Sequence, residues 1–395
     1  MATTVAPSAN SSTTASLPPT MKAQLLTYYN TPYQLRTDLP LPKLTSPYDV
    51  LIRIDAASYC HTDFVLAAGE MPGNPASFPH VGCHEFAGTV VALPHIPETS
   101  IGAEIFTLQP GSRVGVGSRA YHPCGRCDEC LDESQPDSDG RGYSVYCPCI
   151  RGNGIGMDGG FREYAVVDSR QVAPLPDAMS AVEAAPLMCA GVTIYAALKK
   201  AALKPGQRVG IIGCGGGLGH LGLQFAVKMG LLVYGVDNAD APLELVRKLD
   251  NIAGARIIDA RVETAESVVQ EVGAQDGKLH RGEMGLDAVI VLPESQAAFQ
   301  YGIDLLKNHG KCVLVSFPKK GFHLSARDVV FRDISIVGSL VGSNKILREM
   351  VQFAAENGIK PVVKRFPLEK LNELVDEYKA GYGGKSVVDF SMQVD

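Results

Sequence analysis

Residues 208–222 read RVGIIGCGGGLGHLG, an apolar run that breaks into glycines and then resumes at helical spacing. Such a run is a buried strand turning tightly into a helix. Gly213, Gly215, Gly216, Gly217 and Gly219, with Leu218 among them, bring backbone amides to a helix N-terminus that favours a pyrophosphate. A glycine-rich run alone is a weak signal. Here a second apolar run, LLVYGVD, follows the helix and ends in Asp237, 24 residues beyond Gly213. The usual offset for an acid that holds a ribose hydroxyl pair is about 20 residues. The competing reading of Asp237 is a charge that closes a strand into a turn. A carboxylate there repels a 2′-phosphate, and the following NADAP offers no arginine to hold one, so NAD is favoured over NADP.

Outward from this segment the pattern repeats. Apolar runs at 255–259 (ARIID), 286–292 (LDAVIVL), 310–317 (GKCVLVSF) and 333–339 (DISIVGS) read as strands. Helical stretches at 219–230, 242–252, 265–274 and 296–308 separate most of them. Strands buried on both faces and alternating with helices predict an α/β unit with a parallel, doubly wound sheet. Before it, AVEAAPLMCAGVTIYAALKKA (181–201) reads as a helix with an apolar face, stopped by KPG. From Met21 to about Phe161 the character differs. VLIRIDAA, FAGTVVAL, RVGVGSRA and FREYAVVD are short β-rich runs broken by Pro and Gly, which predict a barrel-like β domain with long loops. The span 132–142, DESQPDSDGRG, reads as an acidic loop, and 346–358 and 368–382 as two helices before a last strand, KSVVDF.

The chain has 395 residues, of which 46% are hydrophobic and 20% charged, with a net charge of -6. That length suits two domains, and the balance is that of a soluble globular protein. The negative charge argues against nucleic acid or an anionic membrane as main partner. No apolar run reaches the roughly 18 residues of a membrane span. Residues 1–20, rich in Ser, Thr and Pro, read as a disordered tail with neither a secretory nor a mitochondrial signal, so a cytoplasmic location is the default.

Ten cysteines in such a chain do not suggest a disulfide scaffold. Cys124, Cys127 and Cys130 share a Cys-x2-Cys-x2-Cys spacing in the polar segment HPCGRCDEC, and Cys147 or Cys149 completes a set of four. Four thiolates form a closed tetrahedral zinc site that staples a loop. Cys60 in CHTD, His84 and Glu85 in GCHEFAG, and Cys189 in PLMCAGVT are dispersed. Taken singly, His84 reads as a satisfied core histidine and Cys189 as a small buried hydrophobe.

Taken together, CHTD (60–63), GCHEFAGTV (82–90), CGRCDEC (124–130), DGGFREYAVVD (158–168) and PLMCAGVTIYAALK (186–199) resemble the zinc-containing alcohol dehydrogenases of the medium-chain dehydrogenase/reductase superfamily, in their fungal and bacterial ethanol-type branch. The resemblance runs from about Met21 to Phe390. It implies a GroES-like β-barrel catalytic domain (21–185 and 346–395) with a structural zinc lobe at about 120–150, and a Rossmann cofactor domain at 186–345. It implies two zinc ions: a catalytic one on Cys60, His84 and Cys189, and a structural one closed by Cys147, which stands in the family-like YCP. Glu85 corresponds to a conditional ligand or nearby acid, and Asp63 to the partner of a zinc-ligating histidine. Thr62 corresponds to the hydroxyl that receives the alcohol proton, and His61 to a side chain beside the cofactor pyrophosphate that joins proton release.

The chain also departs from the family. Val65 stands where a relay histidine often lies, and Lys345 near the place of a cofactor-binding arginine. Sixteen residues separate Cys130 from Cys147 instead of seven, and there is no Trp to narrow the pocket, Met71 and Ala120 falling near those positions. The resemblance therefore implies NAD-linked interconversion of a primary alcohol, bulky, allylic or aromatic ones included, and its aldehyde, in a homotetramer with a dimer as second choice. The competing expectations are a same-fold dehydrogenase acting on a polyol or secondary-metabolite intermediate, and a non-catalytic NAD-binding protein.

Overall fold

The computed structural model describes residues 17–71, 73–94, 108–132 and 143–394. Positions 1–16 of the expected tail and 133–142 of the expected acidic loop lie outside them. Leu17 to Pro19 precede the strand Thr20–Leu25, so Thr20 belongs to a strand and not to the tail.

Six parallel strands form one sheet in the order Arg256–Asp259, Leu232–Asp237, Arg208–Ile212, Leu286–Val291, Leu306–Leu314, Ser335–Gly338. Numbered along the chain this is 3-2-1-4-5-6. The order reverses between Arg208–Ile212 and Leu286–Val291, whose ends Ile212 and Val291 are paired in register. Ligands of doubly wound sheets bind at this reversal, outside the carboxyl ends of the strands. The inner strands are buried on both faces (Val209, Ile211, Val289 and Ile290 have no exposed surface), which is why they read as continuous apolar runs instead of alternating ones.

The second sheet has seven strands centred on Asp49–Ser58. Phe86–Ala92 lies along one side of that strand. On its other side Tyr164–Asp168 pairs with the first half and Lys385–Asp389 with the end. Arg113–Val116 and Val172–Pro174 extend the sheet beyond Phe86–Ala92, and Val363–Phe366 extends it beyond Lys385–Asp389. The four β-rich runs expected between Val50 and Asp168 all contribute strands, though RVGVGSRA yields two short ones, Arg113–Val116 and Arg119–Tyr121. Strand Val363–Phe366, helix Ala326–Arg332 and helix His61–Ala67 go beyond the sequence expectation.

The helical run Ala181–Ala201 joins the two sheets. Ser180 caps it, accepting from the Glu183 amide while the Glu183 carboxylate returns to the Ser180 amide. Pro186 lacks an amide proton, and Leu187–Gly191 winds as a π-helical turn before Val192–Ala201 resumes. This helix is long and apolar enough to cross a membrane by length and composition, an exception to the expectation that no segment would be. However, 83% of its apolar window is buried inside the protein. Ile194 is fully buried in its core cluster, and truncating such a side chain to Ala costs about 2–5 kcal/mol. The expected boundary at 185/186 runs through this one helix.

Candidate active site and metal centres

Asp63 organises the first cluster. Helix His61–Ala67 starts at Cys60, and one Asp63 oxygen accepts from the Cys60 amide at 3.0 Å. The other accepts from the Cys83 amide at 3.0 Å and from His84 Nδ1 at 3.1 Å. Donating Nδ1–H to a carboxylate leaves Nε2 as the ring nitrogen that a metal would take. That Nε2 is buried with no hydrogen-bond partner. A His84 ring nitrogen and the sulfurs of Cys60 and Cys189 all lie within 4.8 Å of one another, and Nε2 is the nitrogen that Asp63 leaves for a metal. Cys189 is delivered by the π-helical turn.

The Cys60 and Cys189 sulfurs lie within 4.8 Å of each other. The Cys189 thiol, hydrogen-bonded to Cys60, holds the Cys60 pKa well below the thiol range against burial, with Lys385 and His84 adding to the effect. The same contact and burial push Cys189 up. Burial opposes charge on His84, but Asp63 and Cys60 outweigh it and raise its pKa. A cation in their midst would displace these protons. Two thiolates and an imidazole suit zinc and leave a fourth position open.

Glu85 lies behind this cluster, fully buried and paired with Lys385. Its other oxygen accepts from the Ala190 amide at 3.2 Å, next to Cys189. Burial pushes the Glu85 carboxyl up to about 8 against the pull of Lys385. Lys385 stays charged: burial opposes this, but Glu85 and Cys60 raise its pKa. Thr62 is half-buried two residues beyond Cys60, and Val65 occupies the next turn of the same helix. His61 is half-exposed, with Nδ1 2.8 Å from Tyr378 Oη and Nε2 3.5 Å from Glu294. Glu294 follows a strand of the six-stranded sheet, so His61 touches both halves of the molecule.

The second cluster brings Cys124, Cys127, Cys130 and Cys147 within the same 4.8 Å limit. Cys147 Sγ is 3.6 Å from Cys124 Sγ and accepts from the Cys124 amide at 3.3 Å. Cys149 is exposed and outside this group of four. The Arg126 amide, ahead of the neighbouring Cys127 and Cys147 thiols, pulls Cys124 down to about 6. A closed set of four sulfurs is the donor set of structural zinc.

The glycine turn leads from Ile212 into helix Gly219–Lys228 at the sheet reversal. Gly213 has φ +82°, and a Cβ there would meet Pro293 at 2.9 Å. At Gly219 a Cβ would lie 2.1 Å from the Gly213 carbonyl oxygen. Only glycine fits either position. Asp237 accepts from the Gly215 amide at 3.0 Å and from the Asn238 amide at 2.9 Å. A cleft of about 680 Å³ extends from Gly216, Gly217 and Leu218 to Tyr59, Cys60, His61 and Tyr378, with Lys385 on its wall. The glycine turn and Cys60 of the first cluster therefore line one cleft.

Some expected residues are not brought to it. Ser343 caps helix Asn344–Asn357 through the Ile346 amide, leaving Lys345 exposed on the first turn near Glu349 and away from the cleft lining. Ala120 lines a separate small cavity with Met188, Val192 and Leu347. Met71 packs at the edge of the β-sheet core. Conversely, Lys385 and Tyr378 line the cleft, although the sequence reading passes over both.

Comparison with known proteins gives a consistent result. Residues 46–177 match the family described as Alcohol dehydrogenase GroES-like domain, and residues 217–384 match Zinc-binding dehydrogenase. The chain is 36% identical to an alcohol dehydrogenase of Geobacillus stearothermophilus, over 91% of this chain and 97% of that protein. It is 33% identical to alcohol dehydrogenase 2 of Emericella nidulans, over 94% and 98%. Its fold is similar to that of the alcohol dehydrogenase from Aeropyrum pernix, with a TM-score of 0.76 and 28% identity, over 93% and 99% of the two chains.

Proposed function

The chain belongs to the zinc-containing alcohol dehydrogenases of the medium-chain dehydrogenase/reductase superfamily, and from that premise we propose that it interconverts primary alcohols and aldehydes with NAD as hydride acceptor. The observation that carries this reading is His84, locked by Asp63 so that its unpartnered Nε2 is left for a metal beside two thiols, next to the cleft that the glycine turn lines.

Cys60, His84 and Cys189 would hold the catalytic zinc, and Cys124, Cys127, Cys130 and Cys147 the structural one. Bound in the first site, zinc supplies a Lewis acid toward an alcohol or carbonyl oxygen, and bound nicotinamide supplies the two-electron acceptor. Thr62 takes up the hydroxyl proton at Oγ1. Without a histidine at position 65, His61 and its partner Tyr378 carry that proton out to solvent. Asp63 fixes the His84 ring, and Glu85 with Lys385 forms the buried pair behind the cluster. Gly213 to Gly219 receive the pyrophosphate, and Asp237 accepts from the adenosine ribose, which favours NAD over NADP.

A chain without Trp lines its pocket with smaller or more pliable side chains, so allylic and aromatic alcohols belong to the substrate range. Each methylene of fit is worth about 1–3 kcal/mol. We assign residues 21–185 and 346–395 to the catalytic domain and 186–345 to the cofactor domain, in a cytoplasmic enzyme. The outer edge of Ser335–Gly338 pairs with no further strand among the described residues. Val330 and Phe331 on helix Ala326–Arg332 are 72% and 75% exposed. A second copy laid along that edge covers both, as a first step toward a tetramer, or as a dimer; light scattering distinguishes these from a monomer.

The test is bound zinc per chain together with NADH and NADPH formation over a panel from ethanol to cinnamyl-type alcohols. Two zinc ions and NAD-linked turnover are expected. Cys60→Ala is expected to lose one zinc and turnover while retaining NADH binding. Equal loss of binding and turnover in a folded variant counts against the assignment.

A further inference from the structure

His220 lies on the first turn of helix Gly219–Lys228 and has no exposed surface. Its Nδ1 is 2.9 Å from the Gly216 carbonyl oxygen, and its Nε2 is 3.1 Å from the Val362 amide. A carbonyl only accepts and an amide only donates, so the ring is the neutral Nδ1–H tautomer. Burial agrees, pushing its pKa down to about 4.

The two partners belong to different parts of the molecule. Gly216 is in the glycine turn of the six-stranded sheet. Val362 precedes strand Val363–Phe366 of the seven-stranded sheet, and its carbonyl accepts from the Lys385 amide at 2.9 Å. A continuous path thus runs from the Gly216 carbonyl through the His220 ring and the Val362 peptide to Lys385, whose side chain reaches Glu85 beside the first metal cluster. Three further contacts run in parallel. The Gly384 amide donates to the Gly215 carbonyl at 3.2 Å. A Cβ on Gly217 would lie 2.9 Å from Lys385 Cδ. One turn along the helix, buried Gln224 donates to the Lys360 carbonyl at 2.9 Å and accepts from its amide at 3.1 Å.

We propose that His220 is a positioning residue that locks the dinucleotide phosphate turn to the strand carrying Lys385, so that the cofactor site and the buried pair behind the catalytic cluster hold one fixed geometry. This rests on the dinucleotide reading of the turn. His220 touches neither cofactor nor substrate; it acts through Gly216 and Val362. Losing the Nε2 acceptor leaves the part-buried Val362 amide without its partner and the pocket around His220 unfilled, which disfavours this arrangement of residues 360–362 and 384–386.

The test uses the zinc-loaded full chain and NADH as probe, followed by fluorescence. Asn places an amide near Nδ1 but does not reach the Val362 amide, whereas the Gln carbonyl reaches the Nε2 position. His220→Asn is expected to raise the NADH Kd about 10-fold, or 1.4 kcal/mol, and His220→Gln less than about 3-fold, both with wild-type zinc content. NADH is also expected to slow hydrogen exchange at the Val362 and Lys385 amides of the wild-type protein, a readout independent of how the variants fold. Wild-type affinity in His220→Asn, or exchange at those amides unchanged by saturating NADH, overturns the inference alone. Failure of the wild-type protein to bind NADH overturns the dinucleotide reading and the inference with it.

Discussion

Asp63 and His84 meet at 3.1 Å through Oδ1 and Nδ1, each with only 1% of its side chain exposed. Asp63 comes from a helix start and His84 from the segment before strand Phe86–Ala92, and their contact turns a scattered set of residues into a metal-binding donor set. Asp63→Asn keeps the shape but sets an amide, part donor, against ring and backbone N–H groups. Its catalytic zinc affinity is expected to fall about 10- to 100-fold, while the structural zinc is retained. Competition with a chelating dye measures both.

The four-sulfur group separates two cysteines that sequence spacing leaves equivalent. Cys147→Ser is expected to lose one zinc per chain and several degrees in Tm, because metal binding is coupled to folding of such lobes. Cys149→Ser, at an exposed position outside the group, is expected to retain both zinc ions and stay within about 0.5 kcal/mol of wild type. Metal analysis and thermal melts of the two variants decide between them.

Asp237 closes strand Leu232–Asp237 beside the glycine turn, where the proposed reading puts the adenosine ribose. A charged hydrogen-bond acceptor is worth about 1.5–3 kcal/mol. Asp237→Ser is therefore expected to weaken NADH binding roughly 10- to 100-fold and to narrow or reverse the preference over NADPH. Parallel titrations with the two cofactors measure the ratio.

His220 gives stability an acid limb. Burial sets its folded pKa at about 4, with Lys385 also opposing its charge, whereas in the unfolded chain it titrates near 6.5. The unfolded state thus binds this proton first as pH falls. The stability contributed by neutral His220 is complete above about pH 6.5 and is lost between about 6.5 and 4. Relative to His220→Gln, wild type is expected to lose about 2–3 kcal/mol between about pH 7 and 4.5. Urea unfolding at the two pH values checks this, and a constant difference contradicts it.

What can be read in the sequence follows from where each signal lies. The six strands of the parallel sheet are buried on both faces, so each appears as an apolar run, and the glycine turn and Asp237 are local features of one such unit. Helix His61–Ala67 is hidden because Cys60 is not among the usual capping residues; the Asp63 carboxylate supplies the cap bond to its amide. Strand Val363–Phe366 is hidden because it is four residues long with Lys364 and Arg365 exposed. The family resemblance implies Lys345 for the cofactor, and the residue lies exposed on the first turn of helix Asn344–Asn357. Of the lysines that line the cleft, Lys364, Lys379 and Lys385, only Lys385 is buried, and it is brought there by the pairing of its strand with residues Ala56 to Ser58, more than 300 positions earlier. A signal exists: Lys385, Val387 and Asp389 share one face of the strand KSVVD, which puts both of its charged residues on the same side as Val387. His220 and Gln224 are comparable, a polar pair one turn apart inside an apolar helix face.

The most direct measurement is anomalous diffraction at the zinc edge from crystals of the zinc-loaded protein. A peak is expected among Cys60 Sγ, His84 Nε2 and Cys189 Sγ, about 2.3 Å from each sulfur and about 2.1 Å from the nitrogen, with the fourth position turned to the cleft. A protein carrying zinc only among Cys124, Cys127, Cys130 and Cys147, with none at the first cluster, would contradict the proposed chemistry outright.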